Sequence, residues 1–114
     1  MQVTIFEKIL SGEIKADIVY QDDNVVAFRD IMPQAKIHLL FIHRKKTINA
    51  IELGLQYPQH AADIFSAIAK YSKEFGLDRD GLRIVTNTGP HAGQTVFYTH
   101  FHVLAGEALR SFGA

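Results

Sequence analysis

The 114-residue chain contains no cysteine. That excludes disulfides, thiolate catalysis and any cysteine-ligated metal, and it fits a reducing compartment. The chain also lacks an excess of either charge, because twelve Lys and Arg balance twelve Asp and Glu. Its one basic run, His43-Arg44-Lys45-Lys46, reads as a solvated loop. Nothing electrostatic therefore points to nucleic acid or to a membrane surface. No segment approaches transmembrane length, and Met1 to Lys8 lacks the apolar run of a signal peptide. A cytoplasmic location is expected. Repeats, low-complexity tracts and linkers are missing too. With 47% hydrophobic and 21% charged residues, the composition suits one folded domain over residues 1–114.

What is present is a succession of short periodic segments. Ile5, Phe6, Ile9 and Leu10 fall at helical spacing before Ser11-Gly12, which predicts a short helix over 3–11. Ile18-Val19-Tyr20 and Val25 to Arg29 read as strands joined by the turn residues Asp22-Asp23-Asn24. A loop over 30–34 leads into a buried-type strand over 37–42, and Thr47 to Leu53 reads as a short helix. Pro58 suits a first helical position. After it, Ala61, Ile64, Phe65, Ile68, Tyr71 and Phe75 form an apolar stripe, and Gly76 suits the C-cap. Asp80-Gly81 turns the chain into a strand over 82–86. A glycine-containing loop over 87–94 then precedes a final strand, Val96 to Leu104. Strands outnumber helices, and one long helix can cover one sheet face. This predicts an α+β fold with a mostly antiparallel sheet.

The final strand carries the chemistry. Side chains alternate along a strand, so Tyr98, His100, His102 and Leu104 are expected on one face and Phe97, Thr99, Phe101 and Val103 on the core face. Two imidazoles on one face need partners if buried, and their clustering points to a site. His38, in the strand over 37–42, is a third candidate. The preceding loop, Asn87 to Thr95, offers Gly89 and Gly93 for close backbone approach, and Asn87, Gln94 and Thr95 as side-chain donors to a phosphate. Asp30 could hold a pair of vicinal hydroxyls. His43, His60 and His91 have no comparable context, and His60 is expected on the exposed face of the long helix. Two chemistries fit. Neutral His100 could attack phosphorus, or His38, His100 and His102 could bind zinc and activate water. The uncharged donors beside the histidines suit a phosphate better than a cation.

The stretch Tyr98-Thr99-His100-Phe101-His102-Val103-Leu104 resembles the motif of the histidine triad (HIT) hydrolases and nucleotidyl transferases, His-x-His-x-His followed by two apolar residues. Ile5 to Ile9, Ala27 to Ile31, Pro33-Gln34-Ala35, Ile37-His38 and Asn87 to Val96 are similar to the same pattern in register. The first segments look most like the nucleoside phosphoramidase branch. The resemblance implies a HIT-like, about five-stranded, mostly antiparallel sheet with one long and one short helix, joined to a second sheet across a homodimer. It implies hydrolysis of nucleoside 5′-phosphoramidates or related nucleotidyl conjugates through a nucleotidyl-histidine, releasing a nucleoside monophosphate. His100 matches the nucleophile, and His102 and His38 match its supports. Asn87, Gly93 and Thr95 match positions at the phosphate or leaving group, and Asp30 matches the ribose carboxylate. Ile5, Phe6, Ile9, Phe28 and Ile31 match the nucleobase pocket. A purine nucleotide conjugate is the implied partner, and no cofactor is implied.

Four departures qualify the resemblance. Tyr98 stands at the first motif histidine but keeps the backbone carbonyl that orients the nucleophile. Thr4 and Glu7 stand where some bacterial relatives carry a Cys-x-x-Cys zinc site, so no metal is expected there. Ala105-Gly106-Glu107 stands where the family often has Gly-Gly-Arg or Pro-Arg, which reverses a charge near the site, and the chain ends early at Ala114, where relatives have a tail that helps shape substrate preference. The alternatives are a nucleotide-binding regulatory protein with little turnover, a diadenosine polyphosphate hydrolase, and a His-ligated zinc hydrolase.

Overall fold

The computed structural model describes residues 2–112. The first helix, α1 (Ile5–Leu10), starts where Thr4 and Glu7 close a capping box. Thr4 Oγ1 accepts from the Phe6 amide at 3.2 Å, while Glu7 Oε1 accepts from the Thr4 amide at 2.7 Å. Two helix-terminal donors are thereby satisfied. The turn after β1 (Ile18–Gln21) is built by Asp22, whose Oδ1 accepts from the amides of Asn24 and Val25, each at 2.7 Å. It sends the chain into β2 (Val25–Arg29) and then β3 (Ile37–His43). Two helices follow, α2 (Ala50–Gln56) and α3 (Pro58–Phe75). The expected start of α2 at Thr47 moves to Ala50, because Asn49 caps it by accepting from the Glu52 amide. At the end of α3, Gly76 adopts φ 70°, a left-handed cap only glycine takes cheaply. A further single-turn helix, α4 (Leu77–Asp80), precedes β4 (Leu82–Val85).

The last strand, β5 (Phe101–Ala105), inserts between β3 and β4. The sheet order is β1-β2-β3-β5-β4, with every pairing antiparallel. Among the described residues one long α-helix, three short ones and a single 3₁₀ turn at Pro90–Ala92 accompany it, against the one long and one short helix expected. Both sheet faces are covered. On one, α3 lays Ile64, Ala67, Ile68 and Tyr71 against Val25, Ala27, Leu39, Phe41 and Val103. On the other, Phe6 and Ile9 of α1 pack with Val26, Phe28, Leu40, Ile42 and Tyr98. No helix of the described residues is long and apolar enough to cross a membrane.

The final strand is shorter than the alternation predicted; Tyr98, His100 and His102 keep to one side, that of α1, as expected, while Phe97 leaves the core. Pairing with β3 stops at Phe41 opposite Phe101. Residues 96–100 leave the ladder, so Phe97 is 50% exposed while Tyr98 is 1% exposed. The physical reason is local. The Thr99 amide donates to the Thr47 carbonyl at 2.8 Å, and the two threonine hydroxyls lie 2.6 Å apart. This crossing connection, rather than a strand neighbour, satisfies the backbone and turns the tyrosine ring into the α1 side of the core.

Candidate active site

Register assembles the histidines. His38 on β3 faces Leu104 on β5, and Leu40 faces His102. Paired residues share a face, which puts His38 and His102 side by side on the α1 face. His38 Nε2 and His102 Nδ1 are 2.8 Å apart. His100, just before β5, places its ring 5.1 Å from that of His102 and 5.0 Å edge-on from Phe6.

Backbone groups fix every tautomer in this cluster, since an amide can only donate and a carbonyl can only accept. The Gln34 amide donates to His38 Nδ1 at 3.0 Å, so the His38 proton sits on Nε2. That proton is donated to His102 Nδ1, with Asp30 Oδ2 a more distant 3.4 Å away. The His102 proton is therefore on Nε2. His100 Nδ1 lies 2.7 Å from the Tyr98 carbonyl and must donate to it. This leaves an unshared pair on His100 Nε2, the atom a nucleophile needs.

The protonation states agree. Burial lowers the pKa of His100, with the Tyr98 carbonyl and Asp30 pulling the other way. His102 is pushed down to about 4, first by burial and then by repulsion from His100 and His38. Burial also lowers His38, against the attraction of Asp30. All three rings are neutral near pH 7.

In front of them lies a cavity of about 420 Å³. Its walls include Asp30, His100, His102 and Thr95, and also Ile5, Phe6, Ile9, Phe28 and Ile31, the five apolar positions singled out in the sequence. Ile31 is 90% exposed, so it forms a rim rather than a floor. Lys15 and Met32, not anticipated, complete the mouth. Asp30 Oδ1 accepts from the Met32 amide at 2.8 Å, which fixes the carboxylate. His38 is buried behind the cavity wall. Asn87 and Gly93 sit in the loop before the histidines. Gly93 has φ 85°, a left-handed conformation that glycine adopts without strain, and open space lies on the side where other residues carry Cβ.

Gln94 departs from its expected role. Its Nε2 donates to the carbonyls of Ile48 and Val96, and its Oε1 accepts from the Gly89 amide. Both amide hydrogens are spent inside the protein, so Gln94 shapes the loop and is not a free side-chain donor to phosphate.

The zinc triple weighed as an alternative, His38, His100 and His102, is not among the groups whose possible ligand atoms converge in the described residues. Among the described residues, Asp30, His38 and His102 bring one ligand atom each within 4.8 Å of one another. With the Gln34 amide on Nδ1, however, His38 turns a proton and not an unshared pair toward that point. His60 also departs from expectation. It is half-buried, its ring stacked 3.9 Å from His43 and 5.0 Å from Tyr57. His43 Nε2 lies 2.9 Å from Asp63 Oδ2, and the Lys45 amide occupies Nδ1. His43 thus donates to Asp63 in a structural tie between β3 and α3. The three-residue spacing of Tyr57, His60 and Asp63 was the signal for that shared helix face.

Residues 11–109 match the HIT domain. The chain belongs to the HIT family. It is 42% identical over 106 residues to the purine nucleoside phosphoramidase of Escherichia coli strain K12, covering 93% of this chain and 89% of that protein. It is 40% identical over 110 residues to a 14 kDa zinc-binding protein of Brassica juncea, covering 93% and 95%. A solved histidine triad protein from Clostridium difficile superposes with a TM-score of 0.92 at 36% identity, covering 99% of this chain and all of that one. The five-stranded antiparallel sheet with its helices is thus the HIT fold.

Proposed function

We propose that this HIT protein is a nucleotide hydrolase that cleaves nucleoside 5′-phosphoramidates or similar nucleotidyl conjugates. The observation that carries the reading is the unshared pair of His100 Nε2, fixed by the 2.7 Å bond from Nδ1 to the Tyr98 carbonyl. His100 Nε2 attacks the α-phosphorus. The phosphorus–nitrogen bond to the leaving amine breaks, and the amine takes a proton from water. The imidazolium so formed keeps its Nδ1 proton on the Tyr98 carbonyl. Water then attacks phosphorus, the bond to Nε2 breaks, and a nucleoside monophosphate and a proton are released. His102 Nε2–H points the one available ring donor at the phosphate, and His38 holds it there. Amides of the Asn87–Thr95 loop other than those of Gly89, Gly93 and Gln94, which bond within the loop, add donors for the transition-state oxygens. The fixed Asp30 carboxylate takes the ribose hydroxyls, and the apolar wall from Ile5 to Ile31 takes the base. Holding the attacking nitrogen and the phosphorus in line supplies much of the acceleration.

Likeness to a named purine nucleoside phosphoramidase supports the substrate class. In the assembly we propose, two copies join sheets across a two-fold axis through an open sheet edge, of which β1 and β4 are the two. The test is His100→Ala on adenosine 5′-phosphoramidate, read beside intact-mass trapping. Turnover is expected to vanish, and the wild type to gain a mass of one nucleotidyl group. Undiminished turnover in the variant would sink the nucleophile. A non-catalytic nucleotide-binding role is favoured by one observation, the tyrosine at the first motif position, and binding of AMP without hydrolysis would support it. The zinc reading has the tautomer of His38 against it. Metal analysis and activity after chelation separate it from ours.

A further inference from the structure

We infer that Tyr98, with the Thr47–Thr99 pair, is a positioning clamp for the nucleophile, acting through one peptide plane. The inference rests on the reading of His100 as the attacking residue. The carbonyl that accepts from His100 Nδ1 belongs to the Tyr98–Thr99 peptide. In a trans peptide the carbonyl and the amide of the same plane point in opposite directions. Here the amide side is held by the Thr99 N–H bond to the Thr47 carbonyl at 2.8 Å. Thr99 Oγ1 lies 3.1 Å from that same carbonyl and 2.6 Å from Thr47 Oγ1, and both threonines are buried. The carbonyl side is therefore driven toward His100.

The tyrosine fixes the other end of the plane. Its ring is 1% exposed and packs 5.9 Å from Phe6. Its hydroxyl donates to the His43 carbonyl at the end of β3. His43 is in turn immobilised by the Lys45 amide and by Asp63 on α3. A chain of fixed groups thus runs from α3, through β3, to the atom that selects the His100 tautomer. Neither Tyr98 nor the two threonines line the cavity that holds His100, so the clamp acts only by aiming the ring. If the plane loosens, the Nδ1 proton loses its acceptor and the ring is free to carry the proton on Nε2. In that tautomer it cannot attack.

The experiment uses the full chain with ¹⁵N-labelled histidine at pH 7, comparing wild type with Tyr98→Phe and Thr99→Val. The imidazole ¹⁵N shifts report which nitrogen carries the proton. The wild type is expected to show His100 protonated on Nδ1, and both variants to show it shared between nitrogens. With adenosine 5′-phosphoramidate, kcat should fall about ten-fold in Tyr98→Phe while KM changes less than about two-fold. Thr99→Val should fall in the same direction by less, and it carries the test if Tyr98→Phe does not fold. Unchanged His100 shifts and unchanged kcat in the folded variants would overturn the clamp. A dead His100→Ala beside normal Tyr98→Phe would discard the clamp and leave the nucleophile standing. An active His100→Ala would instead remove the nucleophile.

Discussion

Acidification offers a quantitative check on the histidine cluster, of which His38 is buried and His100 and His102 are half-buried. His102 carries a pKa pushed down to about 4, from an ordinary imidazole value of 6.5. Its folded form resists the proton that its unfolded form accepts. Between these values the unfolded chain binds more protons, so stability falls as pH drops from about 6.5 to about 4 and levels off below. The full difference is an upper bound of about 3 kcal/mol, reduced by solvent screening at this half-buried ring and shared within a coupled cluster. His38 and His100, also lowered, push in the same direction. The assay is urea denaturation from pH 7.5 to 4.5, with the midpoint converted at constant m. The partner variant is His102→Asn, because the asparagine oxygen can accept from His38 Nε2 near the place of Nδ1 while bringing no titration. Groups outside the cluster are the same in both proteins, so the difference reports on His102 and the groups coupled to it. The wild type is expected to lose about 1–3 kcal/mol more than the variant over this range. Equal acid slopes would show that His102 is not held neutral by its surroundings, and the argument for a neutral cluster would fail with it.

Two further outcomes follow from the cavity. Asp30→Asn keeps an acceptor for the Met32 amide but removes the charge. It should raise KM for adenosine 5′-phosphoramidate about ten-fold with a smaller change in kcat, and an unchanged KM would take the ribose role from Asp30. Phe6→Ala empties a position 5% exposed that touches Phe28, Tyr98 and His100. It should cost about 3–5 kcal/mol in urea denaturation and weaken AMP binding by calorimetry; a loss under about 1 kcal/mol would mean Phe6 is not the keystone of that face.

The sequence made much of this visible because two periodicities sufficed. The antiparallel strands, the long helix from Pro58 and its glycine cap follow from alternation, from three-and-four spacing and from one residue with a positive φ. The polar histidines stood out because they interrupt otherwise apolar strands. What failed was the assumption that the strand ladder continues through residues 96–100 and keeps Phe97 in the core. The backbone there is satisfied by Thr47, fifty-two residues away from Thr99, and a pair of threonines carries no long-range signal. The same limit hid the role of Gln94, whose three bonds close its own loop and tie it to Ile48. It also hid the tautomers, because the groups that set them are the Gln34 amide and the Tyr98 carbonyl, which almost any residue type would supply at those positions.

That last point explains why a tyrosine can stand at the first motif position. His100, the nucleophile we propose, needs a carbonyl there, and the carbonyl does not depend on the side chain. What the side chain contributes is the firmness with which that carbonyl is held. Burial, followed by the nearby Glu7 carboxylate, raises the Tyr98 pKa above its ordinary value. The hydroxyl therefore stays a donor to the His43 carbonyl across the working pH range. A histidine in its place would add a group titrating near neutrality beside the nucleophile. With tyrosine, the acid limb of kcat/KM should be governed by the triad histidines alone and lie below pH 6.5, where burial places them. An acid limb at or above 6.5 would mean that the attacking ring is solvated, and the buried geometry would not be the one that reacts.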